Sequence, residues 1–297
     1  MAEPRTLVIV NPRAKRARNL RADDLKRAFA RHLLEVDVEV TPTPDIPARD
    51  ARDRGYDRVI AGGGDGTLRS VACLCGLPVG LLPVGTSNSV ARSLDIPLHL
   101  ESAIGALAGG TARKMDLGVV TGPRIEGTTQ QFILCASAGL DAESARLYEL
   151  TARGNPSVAR YCYTVVKAML EYAHNPISVR TDARDEPFFA RNAVATNMKI
   201  YAGFFVLTPD AHPFDGLLDF VGIRSEGPFG MLGNLTRGLM RRPQLASRTY
   251  VEQTTRCVWE SKHDVPVEID GEPIGYLPAE VSVQQEAIAF IVPAPPA

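Results

Sequence analysis

Four glycines in five positions around a single aspartate, Gly62-Gly63-Gly64-Asp65-Gly66, constrain this chain more than any other feature. The apolar run Val59-Ile60-Ala61 precedes them, and a helical pattern opening at Leu68 follows. The chain therefore passes from a buried strand into a helix through a turn almost without side chains. At such a turn the backbone amides and the helix dipole are open to an anion, and phosphate suits them. A tight structural turn is the plainer reading, but it does not require four glycines around one acid. Asp65 would repel a pyrophosphate unless a cation or a substrate hydroxyl meets it, which points to Mg²⁺ or to proton abstraction beside phosphates.

Other phosphate motifs fail by inspection. None of the six lysines follows a glycine, so there is no Gly-Lys-Ser/Thr loop. Thr67 stands where a dinucleotide fingerprint needs its third glycine. There is no Gly-x-Ser-x-Gly elbow, and His32, His99, His174, His212 and His263 lack ligand spacing. Cys73, Cys75, Cys135, Cys162 and Cys257 are odd in number with no Cys-x-x-Cys pair, which fits a reducing cytoplasm better than a disulfide framework or a cysteine zinc site.

Along the chain, Leu7-Val8-Ile9-Val10 reads as a buried parallel strand closed by Asn11-Pro12. A helix through Leu20, Leu25, Phe29 and Leu33, an alternating strand over 36–40, a short helix near 47–54 and strands at 59–61 and 79–82 follow. This alternation predicts a Rossmann-like parallel α/β domain over 1–118. Helical runs at 140–151 and 157–174 then give way to strand-like segments at 177–180, 204–207, 217–221, 265–269 and 288–292. They predict a β-rich, sandwich-like domain over 119–297, with its extreme C-terminus able to pack back on the first. Two domains leave room for a cleft.

Residues 70–91 carry no charge and are long enough to span a bilayer, but Gly76, Pro78, Gly80, Pro83 and Gly85 divide them into shorter elements. The segment before Leu7 has no signal-peptide pattern, so secretion is not expected. Residues 1–118 hold 17 Lys+Arg against 14 Asp+Glu, and residues 119–297 hold 16 against 20, giving +3 and −4. The positive half carries the glycine-rich loop, which suits a small anionic ligand. With 6% aromatics and no basic stripe among them, nucleic acid is not expected as a partner.

Gly85-Thr86-Ser87-Asn88 follows the strand at 79–82, so it belongs at the same carboxyl edge of the sheet as the glycine-rich loop. Thr86 and Asn88 are thus candidate nucleotide contacts, although residues 87–89 equally suit a helix cap. The basic run Arg13 to Arg18 follows strand one and reads equally as a solvated face. Asp270-Gly271 has the composition of a type I′ hairpin turn, sufficient without any function. Asp215 and Asp219 bracket Gly216-Leu217-Leu218, and their carboxylates with the Leu218 carbonyl could hold Mg²⁺, or simply be a solvated turn.

These residues carry a family resemblance. Gly63-Gly64-Asp65-Gly66-Thr67 resembles the Gly-Gly-Asp-Gly-Thr signature of diacylglycerol kinases, sphingosine kinases and bacterial lipid kinases, which share a fold with NAD kinases. Asn11-Pro12, Gly85-Thr86-x-Asn88 with Ala91-Arg92, Asp116-Leu117-Gly118, Gly139-Leu140-Asp141-Ala142, Asp215-Gly216-Leu217-Leu218-Asp219 and Asp270-Gly271-Glu272 stand in the family's order, across essentially the whole chain.

The resemblance implies a lipid kinase that moves the γ-phosphate of ATP, with Mg²⁺, to a hydroxyl of a lipid such as diacylglycerol. It implies nucleotide contacts at Asn11, Gly62, Gly63, Gly64, Gly66, Thr67, Gly85, Thr86 and Asn88, and a metal site at Asp215, Leu218 and Asp219. It places Asp270-Gly271-Glu272 in the active-site cleft, where Asp270 or Glu272 competes with Asp65 to be the general base. Ser89, where many relatives have Asp, Leu134, where many have Asn, and the segment after Pro12 depart from the pattern. Those departures bear on nucleotide preference and phosphate contacts.

An NAD-kinase-like enzyme with a soluble substrate and a catalytically weak nucleotide- or lipid-binding regulator remain alternatives. The expected setting is the cytoplasm, with peripheral work at the inner membrane surface and homodimerisation left open. A helix over 229–248, with Phe229, Met231, Leu232, Leu235, Leu239 and Met240 beside Arg237, Arg241, Arg242 and Arg248, is the candidate docking element; a helix covering the second domain's core is the plainer reading.

Overall fold

The first strand, β1 (Thr6–Val10), is buried at every residue, as the unbroken apolar run requires. After it come α1 (Ala22–Ala30), β2 (Val36–Val40), α2 (Asp45–Asp50), β3 (Arg58–Gly63), α3 (Asp65–Cys75), β4 (Val79–Pro83), α4 (Ser89–Ser93) and α5 (Leu100–Ala108). The computed structural model describes residues 4–151, 158–201, 203, 205–224 and 249–293. It resolves into two compact units, one running to Met115 and regaining the chain from Glu286, the other Asp116–Gln285.

In the first unit the strands lie in the order β2-β1-β3-β4, all parallel. Val8, Val10, Ile60 and Leu82 point to one face, where Leu25, Ala28 and Phe29 of α1 and Ala103, Ile104 and Leu107 of α5 cover them. Their strand neighbours Leu7, Ile9, Val59 and Leu81 face the other way and are equally buried, because successive side chains alternate across a sheet. Each such large side chain contributes about 1.5–3 kcal/mol by leaving water. Helix α3 starts at Asp65, not at Leu68 as the apolar pattern suggests. Gly64 is its N-cap, so Asp65, Gly66 and Thr67 form the first turn. It stops at Gly76, whose left-handed φ of 59° ends the helix.

The second unit continues with β5 (Thr111–Thr121), which begins before the division, then β6 (Thr129–Phe132), β7 (Cys135–Gly139), α6 (Leu140–Leu150) and α7 (Val158–Glu171). The remaining strands are β8 (Ile177–Thr181), β9 (Phe188–Ala190), β10 (Asn192–Thr196), β11 (Ile200–Tyr201), β12 (Phe205–Val206), β13 (Leu218–Ile223), β14 (Thr249–Thr254), β15 (Arg256–Glu260), β16 (Pro266–Ile269), β17 (Glu272–Tyr276) and β18 (Ala279–Val292). One antiparallel sheet has the order β14-β13-β10-β7-β16-β17. The first half of β18 pairs antiparallel with β15, and β15 with β8. Between these layers lies one core, including Ala136, Ala138, Phe220, Trp259, Val267 and Ile269. The β-rich sandwich expected from sequence is thus present.

The segment at 288–292, read from sequence as a strand of the second domain, is the end of β18 and belongs to the first unit. Phe290 pairs there in parallel with Val79 of β4. Among the described residues no helix is long and apolar enough to cross a membrane. The candidate docking segment 229–248 lies outside the described residues.

Candidate active site

At the carboxyl edge of the first unit's sheet the glycines are held by close approach. A Cβ on Gly63 would stand 2.3 Å from Thr67 Oγ1, and one on Gly85 would stand 2.3 Å from Gly64 Cα. The loops after β3 and β4 therefore pack backbone to backbone, and the amides of Val84 and Gly85 both donate to the Gly63 carbonyl at 3.0 Å. Gly66 has open space where its Cβ would be. Asn11 joins the loop as well: its Nδ2 donates to Thr67 Oγ1 at 3.3 Å and its backbone amide to the Gly62 carbonyl at 2.9 Å.

Asp65 is committed to this scaffold. Its carboxylate accepts the amides of Ser89 at 2.9 Å and Val90 at 3.1 Å, capping α4 from the neighbouring loop. Burial pushes its pKa up, against the pull of those amides. The Ser89 side chain hydrogen-bonds the same carboxylate, so the departure at this position adds a donor to the cap that an aspartate would not supply. Asn88, expected as a nucleotide contact, is 1% exposed and turned inward, donating to the carbonyls of Pro83 and Gly85. Its left-handed φ of 49° accommodates the turn into α4. Thr86 and Ser87 are exposed on the rim.

In the second unit Asp270 and Gly271 both have positive φ, 51° and 88°, and Ile269 pairs with Glu272 across them. This is the two-residue hairpin that Asp-Gly predicts. The Asp270 carboxylate reaches back to the β6–β7 loop and accepts the amides of Ile133 at 3.0 Å, Leu134 at 2.8 Å and Cys135 at 3.1 Å. Leu134 serves through its backbone, so its departure from a polar residue is without consequence for this bond. Glu272 is exposed at the start of β17.

Beside the hairpin lies a buried acidic group absent from the site expected from sequence. Val267 and Ile269 enter the core, so Glu268 between them faces the other side of the sheet, opposite its register partner Ser137. Ser137 Oγ lies 2.7 Å from Glu268 Oε1 and 3.0 Å from Asp141 Oδ2. The hydroxyl of Tyr201 donates to that same Asp141 oxygen, and Glu268 Oε2 accepts the Gly271 amide at 2.6 Å. Burial and then the Asp141 carboxylate hold the Glu268 pKa well above its ordinary value. Burial raises Asp141 as well. A charged residue midway along an apolar strand was the available signal for Glu268.

Asp215 is exposed and accepts the Leu217 amide at 3.0 Å, a local turn. Asp219 is buried on β13, and burial, then the Asp215 carboxylate, push its pKa up to about 6. Two crowded carboxylates suit a cation, but among the described residues no three His, Cys, Asp or Glu side chains group as metal ligands. Any Mg²⁺ here would therefore rely on these two acids, main-chain carbonyls and water.

A parallel α/β unit with a glycine-built strand-to-helix loop, joined in sequence to an antiparallel sandwich, defines the NAD-kinase-like class of fold. Yeast NADH kinase, solved with NADH, shares it at a TM-score of 0.51 and 11% identity, over 100% of this chain and 85% of that one. A family model described as the diacylglycerol kinase catalytic domain matches residues 5–120, and one described as the YegS C-terminal NAD kinase beta sandwich-like domain matches residues 135–292. The chain belongs to the diacylglycerol kinase family of lipid kinases. A Pseudomonas aeruginosa protein named Probable lipid kinase YegS-like is 31% identical over 250 residues, 81% of this chain and 78% of that one. The diacylglycerol kinase of Bacillus subtilis is 26% identical over 254 residues, 83% and 81% of the two chains. A diacylglycerol kinase from Bacillus anthracis superposes at a TM-score of 0.73 with 19% identity, covering 98% of each chain.

Proposed function

We propose that this protein transfers the γ-phosphoryl group of ATP to a hydroxyl of a membrane lipid such as diacylglycerol, with Mg²⁺. The observation that carries the nucleotide role is the Asp65 bridge, which fixes the loops at 62–67 and 85–88 as one amide-bearing rim. Backbone amides held in place before the reaction stabilise phosphoryl charge without reorganising. Asn11, Gly62, Gly63, Gly64, Gly66, Thr67, Gly85 and Thr86 hold the nucleotide in this reading, while Asp65 and Asn88 position them from behind.

The base is Glu272. Asp65 and Asp270 accept two and three amide hydrogen bonds, which commit their carboxylates to holding the backbone, whereas Glu272 is exposed at the start of β17. Glu272 takes the proton of the lipid hydroxyl as that oxygen bonds to phosphorus and the bond to the ADP oxygen breaks. Mg²⁺, bound, would neutralise phosphate charge and support the fold at Asp215, Leu218 and Asp219. The acceptor class is supported by the names of the relatives, and a lipid acceptor brings the chain to the membrane surface peripherally.

The test is radiolabel transfer from γ-labelled ATP to diacylglycerol, phosphatidylglycerol, ceramide, long-chain bases and NAD. The expected outcome is a labelled lipid, and a fall in kcat of roughly 10²–10⁴-fold in Glu272→Gln. Label in NAD alone would make the chain a soluble-substrate kinase, and no transfer to any acceptor would make it a binding regulator.

A further inference from the structure

The contacts around Ser137 impose a proton count. Its hydroxyl has one hydrogen, yet its oxygen lies within hydrogen-bond distance of two carboxyl groups, Glu268 and Asp141. If both were ionised, one contact would set oxygen against oxygen with no hydrogen between, in a site where Ser137 is fully buried and Glu268 is 2% exposed. One carboxyl must therefore bring a proton. Asp141 Oδ2 already receives the Tyr201 hydroxyl and faces Ser137 as well, so a proton there would spoil an acceptor used twice. On Glu268 Oε1 it completes a chain in which Glu268 donates to Ser137 and Ser137 to Asp141. Glu268 Oε2 is left to accept the Gly271 amide.

We infer that Glu268 is a positioning residue for the Asp270-Gly271-Glu272 hairpin, acting as a neutral carboxylic acid that grips the Gly271 amide. The hairpin then has two holds: Asp270 fastens it to residues 133–135, and Glu268 fastens its other corner to the floor of the sheet. The groups facing Glu268 are Cys135 from β7, Asp141 from α6, Tyr161 from α7, Tyr201 from β11 and Asp270 from the hairpin. Burial and the two acidic neighbours all favour its neutral form. The link to catalysis rests on the reading of Glu272 as proton acceptor, whereas the grip on Gly271 does not.

Glutamine keeps the shape of a protonated glutamate: its NH₂ donates to Ser137 and its carbonyl accepts from Gly271. Alanine removes both contacts. The experiment compares Glu268→Ala and Glu268→Gln by steady-state turnover, KM for ATP and hydrogen exchange at the Gly271 amide.

Glu268→Ala is expected to speed Gly271 exchange more than about tenfold and to lower kcat by about 10²-fold with little change in KM. Glu268→Gln should return both quantities to within about threefold of wild type. A folded Glu268→Gln as impaired as Glu268→Ala would mean that an ionised carboxylate is required, and would overturn the inference. Unchanged Gly271 exchange in Glu268→Ala would overturn it too. If the alanine variant does not fold, the glutamine variant decides alone, since an ionised role predicts its failure. Full turnover in Glu272→Gln would instead remove the reading of the base, with Gly271 exchange still testing the grip.

Discussion

At the scale of single residues, two acids expected to face substrate are spent largely on the protein's own backbone. Asp65 caps a helix in the next loop, so Asp65→Asn should affect both stability and rate. Losing a charged cap costs about 1–2 kcal/mol, and a loosened phosphate rim should lower turnover by roughly 10²-fold. Parallel melting and turnover measurements check this; an unchanged melt with lost turnover would return Asp65 to a direct chemical role. Glu268 makes a pH prediction. Its folded pKa lies above its unfolded one, so the native state holds a proton that the unfolded chain releases. Stability should therefore fall as pH rises from about 4.3 toward the raised value, at about 1.4 kcal/mol per unit, with no effect below that window. Asp141 acts with the same sign. Melting curves from pH 5 to 8 should fall less steeply in Glu268→Gln than in wild type.

At the scale of elements, the strand-to-helix turn after β3 separates glycines that packing requires from one beside which packing leaves open space. A methyl on Gly85 would strike the Gly64 backbone at 2.3 Å, so Gly85→Ala should cost about 1–3 kcal/mol of stability and weaken ATP binding by parting the loops. A methyl on Gly66 meets nothing within 4 Å, and alanine suits a helical turn better by about 0.5–1 kcal/mol. Gly66→Ala should therefore raise the melting temperature while, on the proposed reading, reducing ATP affinity, because the methyl would enter the space that phosphate takes. Calorimetric ATP titration with a thermal melt reads both. Undiminished affinity in Gly66→Ala would show that phosphate does not approach this amide. The hairpin between β16 and β17 was fully legible in Asp270-Gly271. The destination of its carboxylate was not, because residues 133–135 lie well over a hundred positions away.

At the scale of the whole molecule, the charge division into a positive first part and a negative remainder follows the division of labour proposed for ATP and metal. Asp215 and Asp219 are among the acids of the second unit, and a cation there would offset their mutual repulsion. Mg²⁺ should accordingly raise the melting temperature of the wild-type chain by a few degrees, since a ligand bound to the native state alone stabilises it by mass action. Asp215→Ala should lose that rise and need more Mg²⁺ for half-maximal activity. An equal Mg²⁺ response in both proteins would reduce the pair to a solvated turn.

Local rules acting over a few residues determined much of this protein from sequence alone. The apolar runs at Leu7 to Val10 and at 79–82 required buried parallel strands, the glycines around Asp65 required a tight strand-to-helix turn, and Asp270-Gly271 required a hairpin. What the acids do was decided only by the tertiary structure. A carboxyl group's role depends on its hydrogen-bond partners and on how much water remains, and the deciding partners came from distant segments: Ser89 and Val90 for Asp65, residues 133–135 for Asp270, Ser137 for Glu268. Glu268 shows the limit most clearly. Its place between two core residues is written in the strand alternation, but the proton it carries follows from the register that sets it against Ser137 and from the helix turn that brings Asp141 to the same hydroxyl.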